Sequence, residues 1–255
     1  MSDYTVDTSV PHSARVWNYW LGGKDNFAVD RRVGDQVRAV FPEIVDAARE
    51  TRAFLRRAVG FLGDGGVRQF LDVGSGLPAA GNTHELVPAG SRTVYVDNDP
   101  LVLAHARELL HTGDVHYVAA DLRDTDAVLA TAAETLDLRQ PVALMLLGVL
   151  GHVEDPGEAR AITRALVDGL PGGSYLVVSD GTATSERVIE SHRQYNESGA
   201  VPYHLREVAD FAAFFDGLEL VAPGVVPLTH WRPAGGSGLE VDGYAGVAIK
   251  TLGRA

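Results

Sequence analysis

The spacing of the hydrophobic residues changes at a glycine cluster about a quarter of the way along the chain. From about Asp35 to Leu62 the apolar residues recur at steps of mostly three and four, which predicts an amphipathic helical segment in two pieces, broken near Pro42. The cluster Gly63-Asp64-Gly65-Gly66 ends this segment, because glycine favours the end of a helix over its interior. The first quarter of the chain is therefore predicted to contribute helices and no strand.

After the cluster, short apolar runs alternate with amphipathic helical segments. The predicted strands are Val67–Val73, Arg92–Val96, Val115–Ala119, Val142–Leu147 and Ser174–Ser179. The predicted helices are Pro100–Leu110, about Thr125–Leu136, and Pro156–Leu170, two of which open on a proline. Strands that are apolar throughout and separated by helices are typical of a parallel sheet covered on both faces.

The C-terminal part of the chain carries two further strand candidates, Gly217–Ala222 and Tyr244–Thr251. A long connection rich in proline and glycine separates them, without a helical pattern, so we expect them to pair antiparallel at the sheet edge. The predicted fold class is α/β: a Rossmann-like doubly wound sheet of about seven strands, mostly parallel, with an antiparallel edge hairpin and an N-terminal helical cap. Residues 1–62 form a lid and helical cap within the same domain as the core, residues 63–255.

The composition narrows the choice of partners. The 255 residues carry 34 acidic and 22 basic side chains, a formal net charge of −12, and no dense Lys/Arg run, so nucleic acid is a poor partner. The absence of cysteine excludes disulfides, thiolate nucleophiles and Cys-based zinc sites. The longest apolar run, Pro141–Leu150, is about half a membrane span, and the N-terminus lacks a secretory signal pattern. We therefore expect a cytoplasmic protein that acts on a small molecule, away from membranes.

A glycine turn and three aspartates follow successive predicted strands. The turn is Asp72-Val73-Gly74-Ser75-Gly76, where glycine lets the backbone approach a ligand, and we expect a helix to open directly after it. Asp97 ends the second strand, where a carboxylate can accept both hydroxyls of a ribose, and Asp121 follows the third. Because the carboxyl ends of parallel strands meet at one edge, these three carboxylates are expected to converge on one crevice.

Two nucleotide ligands compete for this crevice. A dinucleotide site would use Gly74-x-Gly76-x-x-Ala79, with Asp97 on the adenosine ribose. Asp72 opposes that interpretation, since a carboxylate beside a pyrophosphate is unfavourable, whereas beside an ammonium group it is favourable. A ligand with an amino-acid ammonium, a ribose diol and an adenine amino group would suit Asp72, Asp97 and Asp121 respectively. S-adenosyl-L-methionine is such a ligand, and its sulfonium cation suits an acidic, aromatic-lined pocket.

The same segments resemble the ordered motifs of class I S-adenosylmethionine-dependent methyltransferases. The resemblance rests on the glycine turn, the acidic end of strand two, Ala120-Asp121-Leu122, Pro171-Gly172-Gly173 before strand five, and the two C-terminal strands. Pro78 departs from the pattern, standing where a third glycine is often found, which changes the exit of the loop and leaves its first two glycines in place. The cofactor is then expected to be held by Asp72, Gly74, Ser75, Gly76, Asp97, Asn98, Asp121, Leu122 and Gly148.

More narrowly, the chain is similar, from about residue 10 to about residue 250, to an actinobacterial family of S-adenosyl methyltransferases of unknown substrate. The segments that carry this similarity are Ala14–Asp30 (ARVWNYWLGGKDNFAVD), Val96–Pro100 (VDNDP) and Gly224–Pro233 (GVVPLTHWRP). The similarity implies the cofactor and leaves the acceptor open.

Methyl transfer requires positioned reactants and, where the acceptor must lose a proton, a base. His152, just past the fourth strand, is the candidate base, with a polar loop histidine as the alternative interpretation. His192, Tyr195, Tyr203 and His204 follow strand five, in a segment where acceptor pockets are commonly built; each is alternatively a packing or surface residue. The histidines show no metal-binding spacing such as H-x-x-x-H, so no metal is expected. We expect O- or N-methylation.

The aromatic stretch from Trp17 to Phe27 is either a cap that plugs the core or a lid over the cofactor. In a lid with Gly22-Gly23 as its turn, Arg15 or Lys24 would pair with the cofactor carboxylate, and Tyr19 and Asn26 would hydrogen-bond nearby.

Near the C-terminus, the segment His230-Trp231-Arg232-Pro233 would reach the pocket rim or form homodimer contacts through an exposed Trp231.

Three functions remain open on these residues. The first is a small-molecule methyltransferase. The second is an S-adenosylmethionine-binding sensor or scaffold without methylating activity. The third is a nicotinamide-dependent oxidoreductase, against which Asp72 argues.

Overall fold

The computed structural model describes residues 7–109, 114–233, 235 and 239–252. Leu110, predicted as the last residue of a helix, lies outside these ranges, as do residues 1–6 of the predicted cap and 253–255 of the predicted core. The described helices are α1 Ser13–Trp20, α2 Ala28–Val40, α3 Ile44–Asp64, α4 Thr83–Leu86, α5 Pro100–Leu109, α6 Thr125–Ala132, α7 Pro156–Asp168, α8 Glu186–Asn196 and α9 Val208–Ala212. The strands are β1 Gln69–Val73, β2 Arg92–Asp97, β3 Val115–Ala119, β4 Ala143–Leu147, β5 Tyr175–Asp180, β6 Glu219–Leu220, β7 Val226–Pro227 and β8 Tyr244–Ile249.

The strands form one mixed sheet in the order β3-β2-β1-β4-β5-β8-β6, and β7 also pairs with β8. Strands β1 to β5 are parallel to one another, and β8 is antiparallel to β5, β6 and β7. The Rossmann-like fold class and the antiparallel C-terminal edge are therefore confirmed. The short β7 raises the number of strands from the expected seven to eight.

Alternating residues of the central strands supply two hydrophobic cores, one on each face of the sheet. In β1, Leu71 and Val73 pack into a cluster with α6, α7 and the phenylalanines after α9, whereas Phe70 faces the opposite way, into a cluster with α3. Strand β4 divides in the same manner, with Leu144 on the first face and Met145 on the second. This two-residue alternation explains why the strands are apolar throughout.

The helical cap and α8 share a third hydrophobic cluster, which includes Val16, Val37, Phe41 and Val188. The break near Pro42 is confirmed, since α2 ends at Val40 and α3 begins at Ile44. Helix α2 packs on α8 and α1 packs on α2, so this part of the cap lies beside the helix that follows β5.

Three sequence expectations were wrong. Residues 13–20 lie outside the predicted helical segment, about Asp35 to Leu62, yet form α1. A hydrophobic pattern does not register this helix, because its buried residues include a charged and an amide side chain. The glycine turn does not open a helix directly: an irregular loop runs to the four-residue α4, since Pro78 restricts the loop and Gly81 adopts a positive φ of 77°. Trp231 is not exposed but fully buried, edge-on to Phe54.

Among the described residues, no helix combines the length and hydropathy needed to cross a membrane.

Candidate functional site

A cavity of about 360 Å³ opens at the carboxyl ends of β1, β2, β4 and β5. Strand β1 lies between β2 and β4 in the sheet, so the cavity lies at the point where the strand order reverses. Ligands of open α/β sheets bind at such a point. The cavity has two halves. The glycine-loop half is formed around Gly74-Ser75-Gly76 and Asp97, and the Tyr203 half is formed around His152, Asp180, His192 and Tyr203.

The carboxylate of Asp97 fastens the glycine loop to the end of β2. Its Oδ2 accepts a hydrogen bond from the Gly76 amide at 2.9 Å, and its Oδ1 accepts one from the Asp99 amide at 2.9 Å. Burial raises the pKa of Asp97, while these two amides oppose the rise. Each oxygen keeps a free acceptor position, so the group remains able to accept two hydroxyls of a ligand.

The two glycines of the loop lack a side chain for different structural reasons. Gly74 has a φ of 77°, and a Cβ there would lie 2.3 Å from Cγ2 of Val149, so no other residue fits without displacement. Gly76 and Gly148 also have positive φ, of 64° and 74°, but an added Cβ would meet no atom within 4 Å. Both line the cavity, so their bare backbones leave a cradle that a side chain would fill.

Asp72 lies in the cavity wall, 7 % exposed, and its Oδ2 accepts a hydrogen bond from the Thr83 hydroxyl at 2.7 Å. Burial raises the pKa of Asp72 to about 6, partly opposed by the Thr83 hydrogen bond and by the charge of Arg52. An ionised carboxylate in this position favours a cationic group in the cavity, as the sequence predicted.

The third predicted carboxylate, Asp121, lies at the outer edge of the cavity and does not line it. Its side chain is 42 % exposed, accepts hydrogen bonds from the Arg123 amide at 2.9 Å and the Asn98 side chain at 3.3 Å, and lies 3.5 Å from the Arg123 guanidinium. The neighbours Asn98, Leu122 and Arg123 do line the cavity. Two of the three predicted carboxylates therefore converge within the crevice.

Arg52, on α3, lines the cavity and was missed by sequence reasoning. One terminal nitrogen donates to the Gly81 carbonyl at 2.8 Å and to Oδ1 of Asn82 at 3.2 Å. Burial lowers the pKa of Arg52, opposed by the nearby charge of Asp72. An arginine on a helix far from the glycine loop in sequence carries no motif, so only the packing of α3 against the loop identifies it.

Helix α1 lies against the cavity with one face. That face comprises His12, Ser13, Trp17, Trp20 and neighbouring residues, at helical spacing. Nδ1 of His12 lies 3.0 Å from Oδ2 of Asp99, which joins the start of α1 to the loop after β2.

The four lid residues predicted to meet the cofactor, Arg15, Tyr19, Lys24 and Asn26, do not line the cavity. Arg15 is buried, with Nε 3.1 Å from the Asp30 carboxylate and its other nitrogens on backbone carbonyls. The Tyr19 hydroxyl donates to Asp35 at 2.7 Å. Asn26 donates to the Gly23 carbonyl and to Asn18, both at 2.9 Å, and so holds the Gly22-Gly23 turn, while Lys24 is exposed. Arg15, Tyr19 and Asn26 stabilise the cap instead.

In the Tyr203 half, His152 lines the cavity as predicted. Its Nδ1 lies 2.8 Å from the Pro202 carbonyl, and because a carbonyl only accepts, Nδ1 carries the hydrogen and Nε2 carries the lone pair. Burial lowers the pKa of His152, opposed by this hydrogen bond, so the ring is held neutral.

Tyr203 is the centre of this half. Its ring lies 5.2 Å from the His152 ring and 5.4 Å from the His192 ring, measured between centroids. The close approach requires Gly151, where a Cβ would lie 2.4 Å from the Tyr203 ring. His192 and Tyr195 also line the cavity, whereas His204 does not.

Asp180, the last residue of β5, was also missed. It lines the cavity at 6 % exposure, and its Oδ1 accepts a hydrogen bond from the Tyr203 hydroxyl. Burial raises the pKa of Asp180 to about 7, opposed by the charge of Arg206 and by the Gly181 and Gly151 amides. An acidic residue at a strand end was the signal that identified Asp97, and it applied here too.

Across the described part of the chain, no group of three or more His, Asp or Glu side chains is placed to hold a metal ion.

Comparison with known proteins agrees with this geometry. The sequence profile of a family described as S-adenosyl methyltransferase matches residues 1–251. A crystal structure of a DUF574 family protein from Streptomyces avermitilis is 38% identical, with a TM-score of 0.91, and the match covers 96% of this chain and 100% of that one. A protein from Thermobifida fusca is 36% identical, also with a TM-score of 0.91, covering 96% and 97% of the two chains.

More distant structures share the fold. The magnesium protoporphyrin IX methyltransferase of Synechocystis, crystallised with bound S-adenosylmethionine, has a TM-score of 0.55 at 14% identity, covering 92% of this chain and 90% of its own. No curated protein matches the sequence. The near-complete profile match and the actinobacterial structures show that the chain belongs to the S-adenosyl methyltransferase family and is a methyltransferase that uses S-adenosyl-L-methionine.

Proposed function

We propose that the protein transfers the methyl group of S-adenosyl-L-methionine to an oxygen or nitrogen atom of a small molecule, by in-line displacement, in the cytoplasm. The observation that supports this most strongly is a single cavity that joins a cofactor-type cradle, Gly76 and Gly148, to a neutral histidine with a free lone pair, His152. A cavity of this size accommodates a small molecule better than a macromolecule.

The glycine-loop half fits the cofactor by its chemistry. Asp97 has free acceptor positions for the ribose hydroxyls, and Asp72 offers a buried carboxylate to the ammonium group. Arg52 supplies the positive charge for the carboxylate, the role that the sequence assigned to Arg15 or Lys24. Asn98 and Leu122 line the cavity next to Asp121, which is more exposed. We assign Asp121 to the adenine amino group.

When bound, the cofactor supplies a methyl carbon that is already activated by the sulfonium. The protein therefore has to position the acceptor and receive its proton. Nε2 of His152 is the proton acceptor in this proposal, because Nδ1 is committed to the Pro202 carbonyl. A neutral ring at physiological pH is the form that accepts a proton.

Helix α1 acts as a lid in this proposal, through the face that carries Trp17 and Trp20. Trp17→Ala removes cavity-lining surface, so S-adenosylhomocysteine should dissociate faster, with a Kd raised by roughly tenfold for one lost aromatic contact. Tyr19→Ala, on the other face of the same helix, is the matched control and should leave the Kd unchanged. Stopped-flow fluorescence measures the dissociation rate of S-adenosylhomocysteine in both variants. Equal dissociation rates would show that α1 is a cap on the core and not a lid.

The proposed cofactor site is tested by Asp97→Ala, with S-adenosylhomocysteine binding measured by calorimetry. Loss of hydrogen bonds to a charged group in a buried site should weaken binding by roughly 100-fold. Asp121→Ala is the matched control, since this exposed carboxylate should contribute less than tenfold. Unchanged binding in Asp97→Ala would overturn the assignment. Formation of S-adenosylhomocysteine with cell extract separates an enzyme from a sensor.

A further inference from the structure

The Tyr203 half presents hydrogen-bond acceptors around one aromatic ring. His152 donates from Nδ1 to the Pro202 carbonyl at 2.8 Å, and His192 donates from Nδ1 to the Val188 carbonyl at 2.9 Å. Since carbonyls only accept, both rings are left with Nε2 as an acceptor. Both histidines contact the ring of Tyr203 and line the same cavity.

The third acceptor is Asp180. Its Oδ1 accepts the hydrogen bond from the Tyr203 hydroxyl, whereas no donor in the described part of the chain reaches its buried Oδ2 in hydrogen-bond geometry. A buried carboxylate oxygen without a partner is costly, by about 1–3 kcal/mol or more. Asp180 lines the cavity, so a ligand in the cavity lies beside this carboxylate.

The nearest cation does not complete this site. The Arg206 guanidinium donates to the Val153 carbonyl at 2.6 Å and to the His204 carbonyl at 3.3 Å, and forms no ion pair with Asp180 within the described ranges. The other cavity-lining carboxylate of this half, Asp242, is already satisfied, accepting from the Thr184 hydroxyl at 2.5 Å and the Ser185 hydroxyl at 3.2 Å. Among the described residues, Oδ2 of Asp180 is therefore the carboxylate oxygen of this half that lacks a hydrogen-bond donor.

We propose that the Tyr203 half binds the acceptor as a protonated primary amine, with its ammonium group on Oδ2 of Asp180, so that the enzyme is an amine N-methyltransferase. An ammonium group carries three N–H donors, which match the three acceptor atoms, whereas a hydroxyl carries one. It also neutralises a buried charge, which an alcohol does not. The inference rests on the proposed function, because it names the acceptor for that site.

The reaction balances without a further reactant. The ammonium loses one proton to Nε2 of His152 and becomes a neutral amine. The amine nitrogen forms a bond to the methyl carbon as the methyl–sulfur bond breaks, and the electron pair stays on sulfur. The products are a protonated N-methylamine, S-adenosylhomocysteine and one proton, which the imidazolium of His152 releases to solvent.

The test uses three probes of one shape: benzylamine, benzyl alcohol and benzoate. Each is titrated into the full chain saturated with S-adenosylhomocysteine, with the thermal midpoint and calorimetry as readouts. Benzylamine should raise the midpoint at concentrations roughly tenfold or more below those needed for benzyl alcohol, and benzoate should have no effect. This comparison needs no variant.

The variant Asp180→Asn should lose the preference for benzylamine by roughly tenfold and keep its affinity for S-adenosylhomocysteine, which also reports that it folds. Asp242→Asn is the matched control and should keep the preference. Equal binding of the amine and the alcohol, no binding of the amine, or an unchanged preference in Asp180→Asn overturns the amine site. Failure of S-adenosylhomocysteine itself to bind the wild type would instead overturn the proposed cofactor site.

Discussion

The two halves of the cavity are built in different ways. In the glycine-loop half, Asp97 contacts the loop through backbone amides, and the partners follow consecutive strands of the chain. In the Tyr203 half, segments far apart in sequence meet: the His152 ring donates to the Pro202 carbonyl and lies edge-on to Tyr203, whose ring requires the bare backbone of Gly151. In the proposed function, the first half binds the cofactor and the second selects the acceptor.

The largest effect is expected in the glycine-loop half, at Gly74. In Gly74→Ala the new Cβ would lie 2.3 Å from Val149, at a φ of 77°, so steric overlap and backbone strain together should lower the free energy of unfolding by about 3 kcal/mol. Gly148→Ala is the matched control, with strain and no overlap, and should cost about 1 kcal/mol. Urea denaturation measures both, and equal losses would show that the contact with Val149 is unimportant.

The next largest effect is expected on removing the positive charge of Arg52, which should affect ligand binding in the glycine-loop half alone. Arg52→Met should weaken binding of S-adenosylhomocysteine by roughly 10- to 100-fold, because a charged donor to its carboxylate is lost. The affinity of the loaded protein for benzylamine should not change. Lys24→Met, which removes an exposed lysine, should leave both affinities unchanged. Calorimetry measures the affinity for S-adenosylhomocysteine in both variants. A larger loss of affinity in Lys24→Met than in Arg52→Met would restore Lys24 as the partner of the cofactor carboxylate.

The pH dependence of binding should differ between the halves. Asp72 has a pKa of about 6 and Asp180 a pKa of about 7, both raised by burial, and each must be ionised to attract a cation. Because a protonated carboxyl group is neutral, affinity falls as the pH falls through each pKa, by roughly tenfold per unit below it.

From pH 8 to pH 5, benzylamine should therefore lose roughly 100-fold in affinity and S-adenosylhomocysteine roughly tenfold. The charge of Arg206 acts on Asp180, and His152, His192 and Asp242 line the same cavity. Protonation of the histidines would act in the same direction by repelling a cation. Calorimetry across this range tests the order, and identical profiles would contradict it.

The smallest effect is expected at Tyr203. Tyr203→Phe removes the hydroxyl that donates to Asp180, which should weaken benzylamine binding by roughly fivefold, the value of one net hydrogen bond. S-adenosylhomocysteine should bind as before. Tyr19→Phe, which removes a hydroxyl on the Asp35 side of α1, should affect neither ligand. A change in S-adenosylhomocysteine binding in Tyr203→Phe would mean that the halves are coupled.

The Rossmann-like core followed from local pattern, because strand and helix periods and the glycine turn are properties of adjacent residues. The same is true of Asp97, whose partner amides lie at the ends of neighbouring parallel strands. The number of strands was nearly right, and the two-residue β7 is too short to leave a period.

The cavity-facing side of the cap depended on tertiary structure. Arg15 and Trp17 are two residues apart, yet α1 directs them to different surroundings, Arg15 to Asp30 and Trp17 to the cavity. Without a recognised helix in this stretch, no residue could be assigned to a face.

Arg52 reaches the cavity only through the packing of α3 against the glycine loop, whereas Asp180 stands at a strand end and gains its partner in the Tyr203 half through the Tyr203 hydroxyl. Local sequence determined the sheet and the glycine loop, because strand and helix periods and glycine turns are properties of adjacent residues. Long-range packing determined which face of α1 lines the cavity and which groups meet at Tyr203, because those contacts join segments that no local pattern relates.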